Sequence, residues 1–145
     1  MTLQVPKEFK ADYEQANWEQ RAGLFVWPSL AGTVLSDDER RLLSLYKPSG
    51  VVLFRRSLKS LSQARKLCEE ISLLTSAPHQ PRGAVIAIDE EGGRVFRLPP
   101  PFPRNSPASE FAHDESEDSL RSQVILQASV ARSIGVSCML APVAD

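Results

Sequence analysis

The chain has 145 residues, 42% hydrophobic and 24% charged, enough for one globular domain with a core of its own. Seventeen basic residues against eighteen acidic ones leave a formal charge of −1, so there is no electrostatic ground for expecting nucleic acid or an anionic membrane as partner. No stretch approaches the ~20 apolar residues of a bilayer span. Lys7, Glu8 and Lys10 stand where a secretory signal would carry its apolar region, so a cytoplasmic location is expected.

From Phe9 to Gln20, Tyr13, Ala16 and Trp18 recur among polar residues and predict a short, weakly amphipathic helix; residues 1–20 are read as an N-terminal helical segment. The apolar run Gly23–Trp27, stopped by Pro28, predicts a first buried strand. Ser36 followed by Glu39 is a capping-box signature, and Leu42, Leu43 and Tyr46 continue it at helical spacing until Pro48-Ser49-Gly50. Val51–Phe54 is the second strand.

The cycle then repeats. Ser60 caps a helix with apolar positions Leu61, Ala64, Leu67, Cys68, Ile71 and Leu74, and Ala84–Ile88 forms a third strand. A Pro- and Gly-rich loop runs from Asp89 to about Ser116, longer than the ~12–15 residues usual in compact domains, and such loops are often functional. A helix through Leu120, Val124, Ile125, Ala128, Val130 and Ala131 ends at Gly135, and Val136–Ala141 is the fourth strand. Cys68 and Cys138 lie in apolar periodic segments and read as buried reduced thiols.

Short apolar strands alternating with amphipathic helices predict an α/β fold with parallel strands in βαβ units. About four strands fit either a small open sheet or the first half of an eight-stranded TIM-type barrel, residues 21–145 being that incomplete barrel domain. In both, sites form at the carboxyl ends of the strands. Arg55-Arg56, Asp89-Glu90-Glu91 and Asp145 occupy those ends, with Gly92-Gly93 permitting a sharp turn and Arg94 and Arg97 close behind. Each has a plainer explanation. Asp89 could turn the chain, Glu90 reads as an ordinary solvated charge, and Arg55 and Arg56 could be surface basics. His79 reads as an exposed loop histidine and His113 as a local partner of Asp114; neither has metal-ligand spacing, and no metal or cofactor is expected. Trp18 and Trp27 read as packing residues.

The segment Ala87-Ile88-Asp89-Glu90-Glu91-Gly92-Gly93-Arg94-Val95-Phe96-Arg97-Leu98 resembles the D-x-E-G-G-R-V-x-R hallmark of glycoside hydrolase family 3, most closely its bacterial β-N-acetylhexosaminidase branch. Gly50–Arg56 is similar to that family's second strand and Leu140–Asp145 to its fourth, although Ser57 stands where the family usually has Asn. The resemblance implies a TIM-type barrel that hydrolyses terminal β-linked N-acetylglucosamine with retention, acting on a carbohydrate in cell-wall metabolism. It implies that Asp89 and Arg97 bind the sugar, and that Glu91, Arg94 and Asp145 form a supporting shell.

The resemblance puts the nucleophile and the acid/base downstream of Asp145. The 145-residue chain is therefore expected to be an inactive fragment, with the missing half of the barrel as partner. The alternative is a non-catalytic sugar-binding α/β domain or remnant.

Overall fold

The apolar tetrad Gly50–Leu53 forms β1 and pairs in parallel with β2, Val85–Asp89; β2 pairs in parallel with β3, Cys138–Leu140. The sheet order is β1-β2-β3. The computed structural model describes residue 10 and residues 13–102, 104, 106, 107, 110 and 117–141. Ahead of β1 lie α1 (Trp18–Gly23) and α2 (Asp37–Tyr46), with residues 13–15 also helical. Helix α3 (Leu61–Thr75) carries the chain from β1 to β2, and α4 (Glu117–Ser133) carries it from β2 to β3. No helix among the described residues is long and apolar enough to cross a membrane.

The helices begin where their caps dictate. Ser36 Oγ accepts the Glu39 N–H while Glu39 reaches back to the Ser36 N–H at 2.7 Å, so the capping box closes as the spacing predicts. The other Glu39 oxygen accepts the Ala31 N–H at 2.9 Å, tying the preceding loop to α2. Those backbone bonds, Ala31 first and Ser36 second, hold the Glu39 carboxyl below its usual value. Ser60 caps α3 by accepting the Gln63 N–H.

Side chains alternate across a strand, and here the alternation divides two environments. Val51, Leu53, Ile86 and Ile88 belong to the buried core with Ala64, Leu67, Cys68 and Ile71 of α3 and Ala131 of α4. Burial pushes the Cys68 thiol up to about 12, with Glu69 adding to the effect. The register places Val52, Ala87, Asp89, Cys138 and Leu140 on the opposite face. Val85, in the same series, is 39% exposed and Leu140 43%. One face of the sheet is thus covered by helices, and the other lacks such a layer among the described residues.

The structure corrects the expectation of four strands. Gly23–Trp27 is not a strand: Gly23 closes α1, and Phe25 and Val26 are exposed. Extended pairing starts later, where the Val52 N–H donates to the Pro28 carbonyl at 2.9 Å and Ser29 bridges Val52 in parallel. Proline has no N–H to offer a ladder but keeps its acceptor. Gly23 is needed for packing, since a Cβ there would lie 1.8 Å from the Tyr46 carbonyl oxygen. The helix expected over Phe9–Gln20 is also interrupted, because Asn17 has extended backbone and its side chain caps α1 by accepting the Gln20 N–H. The fourth expected strand is present as β3, shortened to Cys138–Leu140.

Candidate functional site: the carboxyl end of the second strand

Asp89 is the last residue of β2, and its place in the alternation sets it on the face without a helix layer. The chain then turns back on itself. Gly92 and Gly93 take φ of 81° and 53°, the left-handed region where a side chain is strained. Gly92 and Val95 form an antiparallel bridge, with the Glu91 N–H donating to the Val95 carbonyl at 3.0 Å. This tight return brings Arg97 beside the strand end, where its Nη2 stands 3.7 Å from Asp89 Oδ2. The side chains are 21% and 28% exposed, so the pair is partly shielded from water but still reachable.

Glu90 departs from the solvated charge expected for it. It is 2% exposed. Continuing the strand alternation past Ile86 and Ile88 turns Glu90 to the helix-covered side, a signal that the sequence already contained. One oxygen, Oε2, accepts the Arg97 N–H at 2.8 Å and the Leu98 N–H at 3.0 Å. The other, Oε1, is buried with no partner. Burial pushes this carboxyl above its usual value, while the two N–H bonds and then the Arg97 and Arg55 guanidiniums pull the other way.

Arg55 and Arg56 follow β1 and are not free surface basics, although their side chains are exposed. Arg55 Nη1 donates to the Leu98 carbonyl at 3.0 Å and more weakly to that of Arg97 at 3.5 Å. Arg56 donates to the Leu30 carbonyl and to Ser29 Oγ, its guanidinium lying 4.9 Å from the Phe54 ring centroid. Arg55 is therefore tied to backbone carbonyls, and Arg56 to one carbonyl and one hydroxyl. Ser57 is fully buried and its Oγ has no partner.

The remaining candidates fall less close. Glu91 is half-buried and Arg94 exposed, and the two form no ion pair with each other. Asp145, His113 and Asp114 lie outside the described residues. His79 is half-buried, with Nε2 buried and unpartnered, and it belongs to the turn before β2, at the opposite end of the strands from Asp89. Trp27 is also at that opposite end. Its ring lies over Gly50, the first residue of β1, and its Nε1–H donates to Ser49 Oγ at 2.9 Å, so it packs and does not face the strand mouth.

Three concavities of about 430, 370 and 550 Å³ open elsewhere, and neither Asp89 nor Arg97 lines any of them. An acceptor-only carboxylate beside a donor-only guanidinium suits a neutral hydroxylated ring, since a hydroxyl both donates and accepts.

No protein-family model matches the chain. It is 37% identical over 126 residues to a beta-hexosaminidase of Thioalkalivibrio sulfidiphilus, covering 83% of this chain and 35% of that protein. With a beta-hexosaminidase of Thiobacillus denitrificans the identity is 38% over 122 residues, covering 80% and 33%. The chain thus spans about a third of the length of these relatives. Among solved structures, a glycoside hydrolase family 3 beta-N-acetylglucosaminidase from Paenibacillus superposes with a TM-score of 0.77 at 26% identity, over 88% of this chain and 24% of that one. NagZ from Neisseria gonorrhoeae, solved with N-trifluoroacetyl-D-glucosamine, gives 0.65 at 26% identity over 83% and 36%. The three parallel strands with their connecting helices are accordingly part of a (β/α) barrel. By sequence and by fold, the chain belongs to glycoside hydrolase family 3 and carries part of its N-terminal barrel domain.

Proposed function

We propose that residues 21–145 form the substrate-holding part of a retaining glycosidase barrel that removes terminal β-linked N-acetylglucosamine. Asp89 and Arg97 bind the sugar. The observation that carries this reading is their pairing at the carboxyl end of β2, on the face without a helix layer. The names of the relatives agree with the sugar class.

The pair orients rather than reacts. Asp89 accepts from one sugar hydroxyl and Arg97 donates to a neighbouring oxygen, fixing the ring before bond cleavage. Retention needs a nucleophilic carboxylate on one side of the scissile bond and an acid/base group on the other. Glu90 serves as neither, being buried with Oε2 already holding two backbone N–H groups. We assign both reacting groups to the remainder of the barrel, and Glu91, Arg94 and Asp145 to support around the mouth. A reducing, cytoplasmic setting belongs to the same reading, supported by the free Cys68 and Cys138.

The test is the intact mass of the native gene product together with its turnover of a chromogenic N-acetyl-β-glucosaminide. A mass well above 16.0 kDa with hydrolysis supports the proposal. A 16.0 kDa product that binds N-acetylglucosamine without hydrolysis favours the sugar-binding domain instead. Hydrolysis unaffected by Asp89→Ala removes Asp89 from the site.

A further inference from the structure

Resting on the reading of Asp89 and Arg97 as sugar ligands, we propose that Glu90 and Arg55 are positioning residues that together fix the Arg97-Leu98 backbone and so aim Arg97 at the sugar. The two act on the same short stretch with opposite polarity. Glu90 Oε2 takes both of its N–H groups, at 2.8 and 3.0 Å. Arg55 Nη1 reaches both of its carbonyls, at 3.5 and 3.0 Å. All four backbone polar groups of the two residues are therefore held, although they lie in a loop outside any strand or helix.

The arrangement matters because a loop has no ladder of its own. A backbone free to shift by an ångström would carry the Arg97 guanidinium away from Asp89, and such misplacement can cost about 100-fold in rate. Glu90 is fastened from below, since its neighbours Ile88 and Leu98 are both fully buried in the core. Arg55 comes from the end of β1, so the loop after β2 is tied to two strands at once. The burial of Glu90 is costly for a carboxyl, and its two N–H bonds are what offset that cost. A surface role would leave the carboxyl in water.

The sequence alternation and the double hydrogen bond also separate Glu90 from its neighbours in the same acidic run. Asp89 faces the open side, Glu91 enters the glycine turn, and Glu90 alone goes inward. Three adjacent acids thus have three different surroundings. The one least accessible to a sugar holds the backbone of the residue that is accessible.

The experiment is amide hydrogen exchange at Arg97 and Leu98 in the native gene product, alongside kcat and KM for an N-acetyl-β-glucosaminide. Glu90→Ala and Arg55→Ala should both speed exchange at these amides and raise KM by about tenfold, with a smaller change in kcat. Glu90→Gln retains an acceptor oxygen and should restore both readouts. Arg55 is exposed, so Arg55→Ala keeps the test open should Glu90→Ala fail to fold. Unchanged exchange in Arg55→Ala, or no rescue by Glu90→Gln, overturns the proposal. If Asp89→Ala and Arg97→Ala raise KM while the Glu90 and Arg55 variants do not, the positioning role alone falls. If Asp89→Ala and Arg97→Ala leave KM unchanged, the sugar-binding reading falls, and the aiming role with it.

Discussion

Arg97 Nη2 stands 3.7 Å from Asp89 Oδ2, although eight positions separate them in the chain and the return runs through the glycine turn at Gly92-Gly93. The distance is that of an ion pair without a direct hydrogen bond, which leaves Asp89 able to accept from a sugar hydroxyl and Arg97 able to donate to one. Asp89→Asn keeps the shape and removes the charge. It should lower kcat/KM of the native gene product by about 10- to 100-fold, the loss of about 1.5–3 kcal/mol expected for a hydrogen bond to a charged group. Arg97→Lys should fare little better, since an ammonium cannot reproduce the planar fork. Steady-state kinetics with a chromogenic glycoside checks both.

Glu90 makes a pH-dependent contribution whose sign follows from its burial. The folded state raises its carboxyl above the ordinary value of 4.5, so folding favours the protonated form. Stability is therefore fullest below 4.5 and declines as pH rises through the folded value. Glu90→Gln does not titrate there. The difference in Tm between wild type and Glu90→Gln should move in favour of the variant between pH 4 and pH 7. A difference independent of pH would mean that the carboxyl is not buried in solution.

Gly50 faces the Trp27 ring so closely that a Cβ would lie 2.2 Å from it. Gly50→Ala should cost about 1–3 kcal/mol through overpacking, measured by denaturant unfolding. Gly32→Ala is the contrasting case, because a Cβ there meets nothing within 4 Å, and it should be close to neutral or slightly stabilising. Tryptophan fluorescence should change in the first variant and not in the second.

Ser36→Ala removes the hydroxyl that accepts the Glu39 N–H at 3.2 Å. The expected cost is about 1 kcal/mol, read from the urea midpoint. Glu39 itself is held below its usual value, so its contribution is present above 4.5 and is lost as pH falls through the folded value. Acid should accordingly narrow the gap between wild type and Glu39→Gln.

The sheet face bearing Val85 and Leu140 has no helix layer, and β3 pairs only with β2 among the described residues. Such edges and apolar faces drive association. The 145-residue chain by itself should self-associate, as sedimentation velocity would show. A sharp monomer boundary with cooperative unfolding would favour an independent small domain.

Helices α2 and α3, strands β1 and β2, and the acidic strand end were all legible from local pattern. Capping boxes, apolar periods and strand runs act between residues a few positions apart, so they are written locally. The Gly23–Trp27 run shows where that stops, because a short apolar stretch reads alike as strand or helix end until its neighbours are known. There the chain is the end of a helix, and Gly23 packs against the Tyr46 carbonyl with no room for a Cβ. Tertiary structure alone decided what the strand-end charges do. Glu90 finds its donors at Arg97 and Leu98 only after the chain has turned, and Arg55 meets the carbonyls of those residues from 42 and 43 positions away. A charge in a sequence carries no mark of its burial, since burial is a property of what the rest of the chain packs around it.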